Sequence, residues 1–153
     1  MKRFVWRLQR VLDVRTRQEQ ARKAELLAIT EKLTQRRSEL LMQRRILADL
    51  IEQLNAEDAA ERLDRQAFFL RASRTNNALI HRLAAEIEQL VVEKQQKIAE
   101  VVKLKQFREG LDKLREEARL EFVREQERLE QKELDERTTV RFAREILNSR
   151  ASL

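Results

Sequence analysis

Few side chains in this sequence have the types and spacing that catalysis or metal binding requires. His81 is the only histidine, cysteine is absent, and the single glycine, Gly110, cannot build a glycine-rich phosphate loop. Metal sites need several nitrogen, sulfur or carboxylate ligands brought together. The adjacent carboxylates of Glu116–Glu117 and Asp135–Glu136 are typical of a solvated helix face, because no predicted pocket encloses them. The sequence therefore predicts no catalysis, no metal site and no cofactor.

The composition predicts an α-helical protein. Among 153 residues there is no proline and one glycine, and 39% of the residues are charged. Proline and glycine are the usual interruptions of helices, so their scarcity predicts long helices and almost no sheet. Trp6 and six phenylalanines are too few aromatic residues for a large core with an enclosed pocket. No run approaches the ~20 apolar residues of a membrane span, so we expect a soluble, cytoplasmic protein.

The positive charge is concentrated at the amino-terminal end. Residues 1–23 contain eight Lys and Arg residues against Asp13 and Glu19, and their net charge of +6 equals that of the whole chain. A basic end favours an acidic partner. Sequence-independent binding to nucleic acid is the alternative, but interspersed acidic residues and the lack of a recognition module argue against it. No nucleic-acid partner is predicted.

Apolar residues recur at steps of three and four, which is the pattern of a coiled-coil seam. In the first half the steps fall on Val5, Leu8, Leu12, Arg15, Glu19, Arg22, Leu26, Ile29, Leu33, Arg36, Leu40, Gln43, Leu47, Leu50 and Leu54. In the second half they fall on Ile80, Leu83, Ile87, Leu90, Lys94, Lys97, Val101 and Leu104, and later on Leu129, Glu133, Glu136, Val140, Ala143 and Leu147. Phe107 comes one residue early, which predicts a phase slip before Phe122. Gly110 lies there, either as a tolerated weak point or as a hinge.

The seam fades near mid-chain, where Ser73–Asn77 is the strongest turn signal. We therefore predict an all-α fold of one domain: a long antiparallel coiled-coil hairpin with helix 1 at about residues 4–70, a turn near 71–77 and helix 2 at about 78–148. Facing residues would then have numbers that sum to about 150, so that Arg15 meets Asp135 or Glu136 and Arg22 meets Glu127–Glu130. A continuous helix in a parallel dimer is the alternative.

Two aromatic groups are candidates for partner contact. Trp6 lies on the opposite side of the helical wheel from Leu8, so that it either covers Arg10 as a cation–π pair or anchors a partner. Phe68 and Phe69 lie near the predicted turn, where they either close the hairpin tip or form a docking surface. Leu79 and Leu83 would extend that surface.

The two ends of the chain resemble the flagellar export protein FliJ family. Residues 4–15, FVWRLQRVLDVR, resemble the opening of that family, and residues 131–137, QKELDER, resemble its carboxy-terminal signature. The resemblance implies an antiparallel coiled coil similar to the two-helix stalk of the rotary ATP synthase γ subunit. It also implies a cytoplasmic part of the flagellar type III export apparatus, at the cytoplasmic face of the inner membrane.

The same resemblance implies partners and contact residues. The paired ends would enter the hexameric export ATPase, promote ring assembly and couple the ring to the membrane export-gate protein, and the chain would also escort export chaperones. The positions that match the family motifs are Phe4, Leu8, Val11, Leu12, Leu134, Asp135 and Glu136. Trp6 and Arg10 would anchor a partner, whereas the group around Phe68 would dock the gate or a chaperone. A virulence type III secretion stalk and a homodimeric tether without an ATPase partner are the alternatives.

Overall fold

The described part of the chain, residues 2–56 and 59–152 of a computed structural model, forms two helices. Helix α1 spans Gln9–Ala56 and helix α2 spans Ala59–Ala151, with 48 and 93 residues. Contacts between the helices pair them antiparallel, so the predicted all-α coiled-coil hairpin is confirmed. Across these described ranges, neither helix has a stretch apolar enough to cross a bilayer.

The contacts divide the chain into two units. One unit consists of Arg17–Lys105, and the other combines Met1–Thr16 with Gln106–Leu153.

In the unit Arg17–Lys105, burial follows the predicted heptad positions. Leu33, Leu83 and Leu90 are 2%, 4% and 6% exposed. The predicted seam positions Leu26, Ile29, Leu40, Leu47, Ile80, Ile87, Val101 and Leu104 are half-buried. Glu19, in the predicted polar break, is buried and its Oε1 lies 2.9 Å from Lys23 Nζ. The spacing of apolar residues therefore predicted this core correctly, and full burial of each leucine stabilises it by about 1.5–3 kcal/mol.

Cross-helix ion pairs show which residues face each other in this unit. The pairs are Arg22–Glu100 at 3.4 Å, Glu25–Lys97 at 2.9 Å and Arg36–Glu86 at 3.1 Å. In each pair the residue numbers add up to 122, so the predicted sum of about 150 is wrong, and Arg22 meets Glu100 instead of Glu127–Glu130. Hydrogen bonds from Lys97 and then from Arg22 hold the pKa of Glu25 below its ordinary value. These side chains are partly exposed, so their main effect is on alignment and not on stability.

The predicted turn at Ser73–Asn77 is wrong, because these residues lie inside α2. Asn76 is 8% exposed, and its Nδ2 donates a hydrogen bond to Oε1 of Gln43 at 3.2 Å. Thr75 Oγ1 donates to the carbonyl of Arg71 at 3.1 Å, as helical threonines often do. Of the polar residues that favour a turn, Asn76 forms a polar layer with Gln43 between the helices. Helix α1 ends at Ala56 and not near residue 70; residues 57 and 58 lie outside the described part.

The predicted seam positions before Phe122 only partly match the burial. Between Gln106 and Leu153 the buried and half-buried positions are Arg108, Leu111, Asp112, Ala118, Phe122 and Gln126. Phe107 and Leu114, which the prediction placed in the seam, are 48% and 51% exposed. The long side chain of Arg108 can cover apolar surface with its methylene groups. Arg108 is therefore half-buried where the pattern predicted burial of Phe107.

Gly110 is helical and has no positive φ, and a Cβ built at this position meets nothing within 4 Å. We therefore expect Gly110→Ala to raise the free energy of unfolding by about 0.5–1 kcal/mol, because alanine loses less backbone entropy on forming a helix. Thermal melting followed by circular dichroism would measure the gain. An unchanged or lower melting temperature would support the hinge interpretation of this glycine.

The Asn76–Gln43 hydrogen bond is expected to show strong coupling. Gln43→Leu alone leaves the buried Asn76 amide without its partner and should destabilise the protein by about 1–3 kcal/mol. Combining it with Asn76→Leu should recover that loss or exceed it, since the layer becomes apolar. Urea unfolding of the two single variants and the double variant measures the coupling. Additive effects would show that the two amides do not interact.

Candidate partner-binding surfaces

The amino-terminal segment, residues 2–8, is not helical. Residues 2–6 have no regular structure, residues 7–8 form a turn, and α1 starts at Gln9, so the predicted start near residue 4 is wrong. The first turn is closed by hydrogen bonds from Gln9 N to Trp6 O at 3.2 Å and from Leu12 N to Leu8 O at 3.1 Å. The first turn of α1 has no acidic residue, and basic residues precede it. Positive charge is unfavourable beside the positive end of a helix dipole, which explains the late start.

Two aromatic contacts reach α2 from the amino-terminal end, one from the non-helical segment and one from α1. The ring of Phe4 lies 5.5 Å from that of Phe122, tilted by 52°. The guanidinium of Arg15 lies 4.6 Å from the ring centroid of Phe107, so the predicted pairing of Arg15 with Asp135 or Glu136 is wrong. Tilted ring pairs and cation–π contacts each contribute about 0.5–1.5 kcal/mol. The Phe4 contact holds the non-helical segment against α2, and the Arg15 contact does the same for the beginning of α1.

The predicted amino-terminal contact residues differ in accessibility. Leu12 is 5% exposed and belongs to the core of this unit with Leu111, so it stabilises the helix pair and offers no side chain to a partner. Leu8 and Val11 are 39% and 41% exposed. Trp6 is half-buried, whereas Arg10 is exposed. Leu8, Val11 and Arg10 are therefore the accessible members of this group.

The carboxy-terminal segment of α2 is uncovered throughout. Every side chain from Glu127 to Ser152 is exposed, including Leu134, Asp135 and Glu136, and Leu134 is 57% exposed. We call residues 127–152 the free segment. Because Phe4 already contacts Phe122, Leu134 lies twelve residues, about 18 Å along the helix, beyond that contact. The two motif groups share one unit of the protein, but they are not gathered into a single compact site.

The second predicted surface lies in the unit Arg17–Lys105. Phe68 is 71% exposed, Phe69 is half-buried and Leu79 is 36% exposed. Leu83 is 4% exposed in the helix–helix seam, which removes it from any docking surface while the helices stay paired. The prediction that Leu83 docks a partner is therefore not supported by its position.

Sequence reasoning missed several exposed apolar residues of α1, and three of them lie near one another along the helix. Leu41, Met42 and Ile46 are 67%, 63% and 41% exposed. The helix pairing of this unit places Met42 close to the level of Leu79 on α2, because paired residue numbers add up to 119–122. We call Leu41, Met42, Ile46, Phe68 and Leu79 the apolar surface; they are a set of exposed residues and not one compact patch, because Phe68 lies eleven residues, about 16 Å along α2, from Leu79. Their exposure could have been predicted from the sequence, because Leu41 and Met42 fall between the predicted seam positions Leu40 and Gln43 and therefore lie off the seam.

The single tryptophan offers a direct test of the amino-terminal attachment. Phe122→Ala removes the ring that Phe4 contacts, so Trp6 should become more exposed and its emission should shift to longer wavelength. Helicity at 222 nm should stay nearly constant, because the segment before Gln9 is not helical. Phe142→Ala, which changes an exposed ring of the free segment, is the matched control and should leave the emission unchanged. An unshifted spectrum for Phe122→Ala would contradict the attachment.

A comparison with protein families finds one match that covers most of the chain. Residues 3–146 match the family described as Flagellar FliJ protein. A search of curated proteins and a search of solved structures returned no match. The matched range includes both motif groups, the apolar surface and most of the free segment.

Proposed function

Because the chain belongs to the flagellar FliJ protein family, we propose that it is the central stalk of the flagellar export ATPase. Membership implies a component of the flagellar export apparatus. In our proposal the chain performs no catalysis of its own and works at the cytoplasmic face of the inner membrane. It enters the hexameric ATPase ring, promotes ring assembly and turnover, couples the ring to the membrane export gate, and escorts export chaperones.

The observation that carries this proposal is the free segment. A single helix is only about 10–12 Å wide with its side chains, which suits insertion into the opening of a ring. The exposed Leu134 offers apolar contact area, and the adjacent Asp135 and Glu136 offer charge. Large exposed apolar residues on an uncovered helix are typical of a partner-binding surface.

The amino-terminal segment is basic, and its charge is opposite to that of Asp135 and Glu136. Its exposed basic residues are Lys2, Arg3, Arg7 and Arg10. They would be attracted to acidic side chains of the ATPase ring, and this attraction would increase the association rate more than the final affinity. Because the charges are exposed, association should weaken as salt is added.

The apolar surface supports a second partner. It belongs to the unit Arg17–Lys105, whereas the free segment belongs to the other unit, so the two surfaces share no residue. We propose that the export gate or an export chaperone binds the apolar surface through Met42, Phe68 and Leu79. The family match favours the flagellar system over a virulence secretion system.

Stimulation of the cognate ATPase tests the stalk proposal. Leu8→Glu combined with Leu134→Glu changes two exposed side chains, so the fold should be retained while contact with the ring is lost. We expect the concentration that gives half-maximal stimulation to rise at least tenfold, which corresponds to about 1.4 kcal/mol. Circular dichroism checks that the variant remains helical.

Met42→Glu combined with Phe68→Glu is the matched control. It changes the same number of exposed apolar residues, but on the apolar surface. This control should stimulate the ATPase like the wild type and should lose binding to the export gate or to chaperones. Full stimulation by the Leu8 and Leu134 variant would contradict insertion of these ends into the ring.

A further inference from the structure

The free segment has opposite charges in its two halves. Residues 127–136 contain five acidic and two basic residues, a net charge of −3. Residues 137–152 contain four basic residues and one acidic residue, a net charge of +3. The sign changes between Glu136 and Arg137. Such a helix is complementary to a second copy of itself that runs in the opposite direction.

One side of the free segment also carries an apolar stripe. Leu129, Val140, Ala143 and Leu147 lie within an arc of about 60° on a helix with 100° per residue. All four are exposed, with 45%, 50% and 65% of the side chains of Leu129, Val140 and Leu147 accessible. Their successive spacings are eleven, three and four residues, and Glu133 and Glu136 occupy the intervening heptad positions, beyond the point where α1 can pair with this segment.

We propose that the free segments of two copies of this chain pair antiparallel, with a two-fold axis near Glu136 and Arg137. The acidic half of each copy then faces the basic half of the other. In this arrangement Gln126 of one copy faces Leu147 of the other, and Leu129 lies near Ala143. In a closed symmetric dimer both copies use the same surface, so that surface must be complementary to itself. The change of charge between Glu136 and Arg137 makes the free segment complementary to itself.

The energetics favour the antiparallel arrangement over the parallel one. A parallel pair would place the acidic halves together and the basic halves together, and like charges across an interface are penalised. The free segment is the continuation of a helix that is already nucleated by its pairing with α1, so dimerisation does not include the cost of starting a helix. The stripe is short and Glu133 and Glu136 interrupt it, so the contact is small and binding should be weak, in the micromolar range.

This pairing would cover Glu136, whereas Leu134 lies about 140° away from Leu129 on the helical wheel and faces away from the second copy. Self-association and ring binding would therefore overlap only at Glu136. The two proposals can be tested separately, because self-association is measured with the purified chain alone, whereas stimulation is measured with the ATPase.

Charge reversal tests the pairing in the full-length chain by analytical ultracentrifugation at low salt. Arg141→Glu with Arg144→Glu makes the basic half acidic, and Glu130→Arg with Glu133→Arg makes the acidic half basic. Each variant alone should be monomeric, with a dissociation constant raised at least tenfold. An equimolar mixture should form a one-to-one dimer, because each reversed half meets its complement. Arg44→Glu with Arg45→Glu, outside the free segment, is the matched control and should dimerise like the wild type.

Cysteine crosslinking tests the direction of pairing, and the natural chain contains no cysteine that would interfere. A mixture of Gln126→Cys and Leu147→Cys chains should form the mixed disulfide dimer, whereas Leu147→Cys alone should remain largely uncrosslinked. Efficient crosslinking of Leu147→Cys to itself would indicate parallel pairing and would overturn the proposal.

Other outcomes would also overturn the proposal. A wild-type chain that stays monomeric at about 100 µM and low salt, or a mixture of reversed variants that stays monomeric, contradicts pairing in the expected micromolar range. Binding of a monomeric chain to vesicles of anionic lipid would instead assign the stripe to a membrane surface.

Discussion

The pairing register of the two helices is the constraint on which the rest of the structure depends. A narrow apolar stripe must be buried against a partner, and a shift of one heptad would bury the same leucines with different neighbours. Apolar burial therefore drives pairing but selects the register weakly. The hydrogen bond of the buried Asn76 with Gln43 and the ion pairs such as Arg36–Glu86 are specific to one alignment. Polar groups thus determine which residues remain uncovered, and so where partners can bind.

The heptad pattern predicted the fold class and the core because the pattern and the core have the same physical origin. Leu33, Leu83 and Leu90 were placed in the seam by spacing alone, and the structure buries them. The turn could not be located in this way. Residues Ser73–Asn77 satisfy turn preferences locally, but Asn76 donates a hydrogen bond to a residue 33 positions away, and local propensity does not include such a long-range interaction.

The candidate surfaces were predicted less well than the core. Exposure of the carboxy-terminal motif around Leu134 depends on the unequal helix lengths, which follow from the position of the connection and not from the motif itself. For the same reason the predicted contacts of Arg15 and Arg22 were wrong, since an error in the connection changes every pairing across the helices. Phe107 was misassigned because an arginine with a long aliphatic chain can replace an apolar seam residue.

The unequal lengths of α1 and α2 also imply uneven local stability. Amide groups in the paired region open only when the seam opens, whereas those of the free segment are held by single-helix hydrogen bonds and short-range pairs such as Arg141–Glu145. Hydrogen exchange should therefore be slow around Leu33 and become progressively faster towards Ala151. The free segment is then both the most exposed part of the molecule and the part whose helix opens most easily. A partner that binds it would slow hydrogen exchange at its contact residues, while the rest of the free segment would still exchange fast.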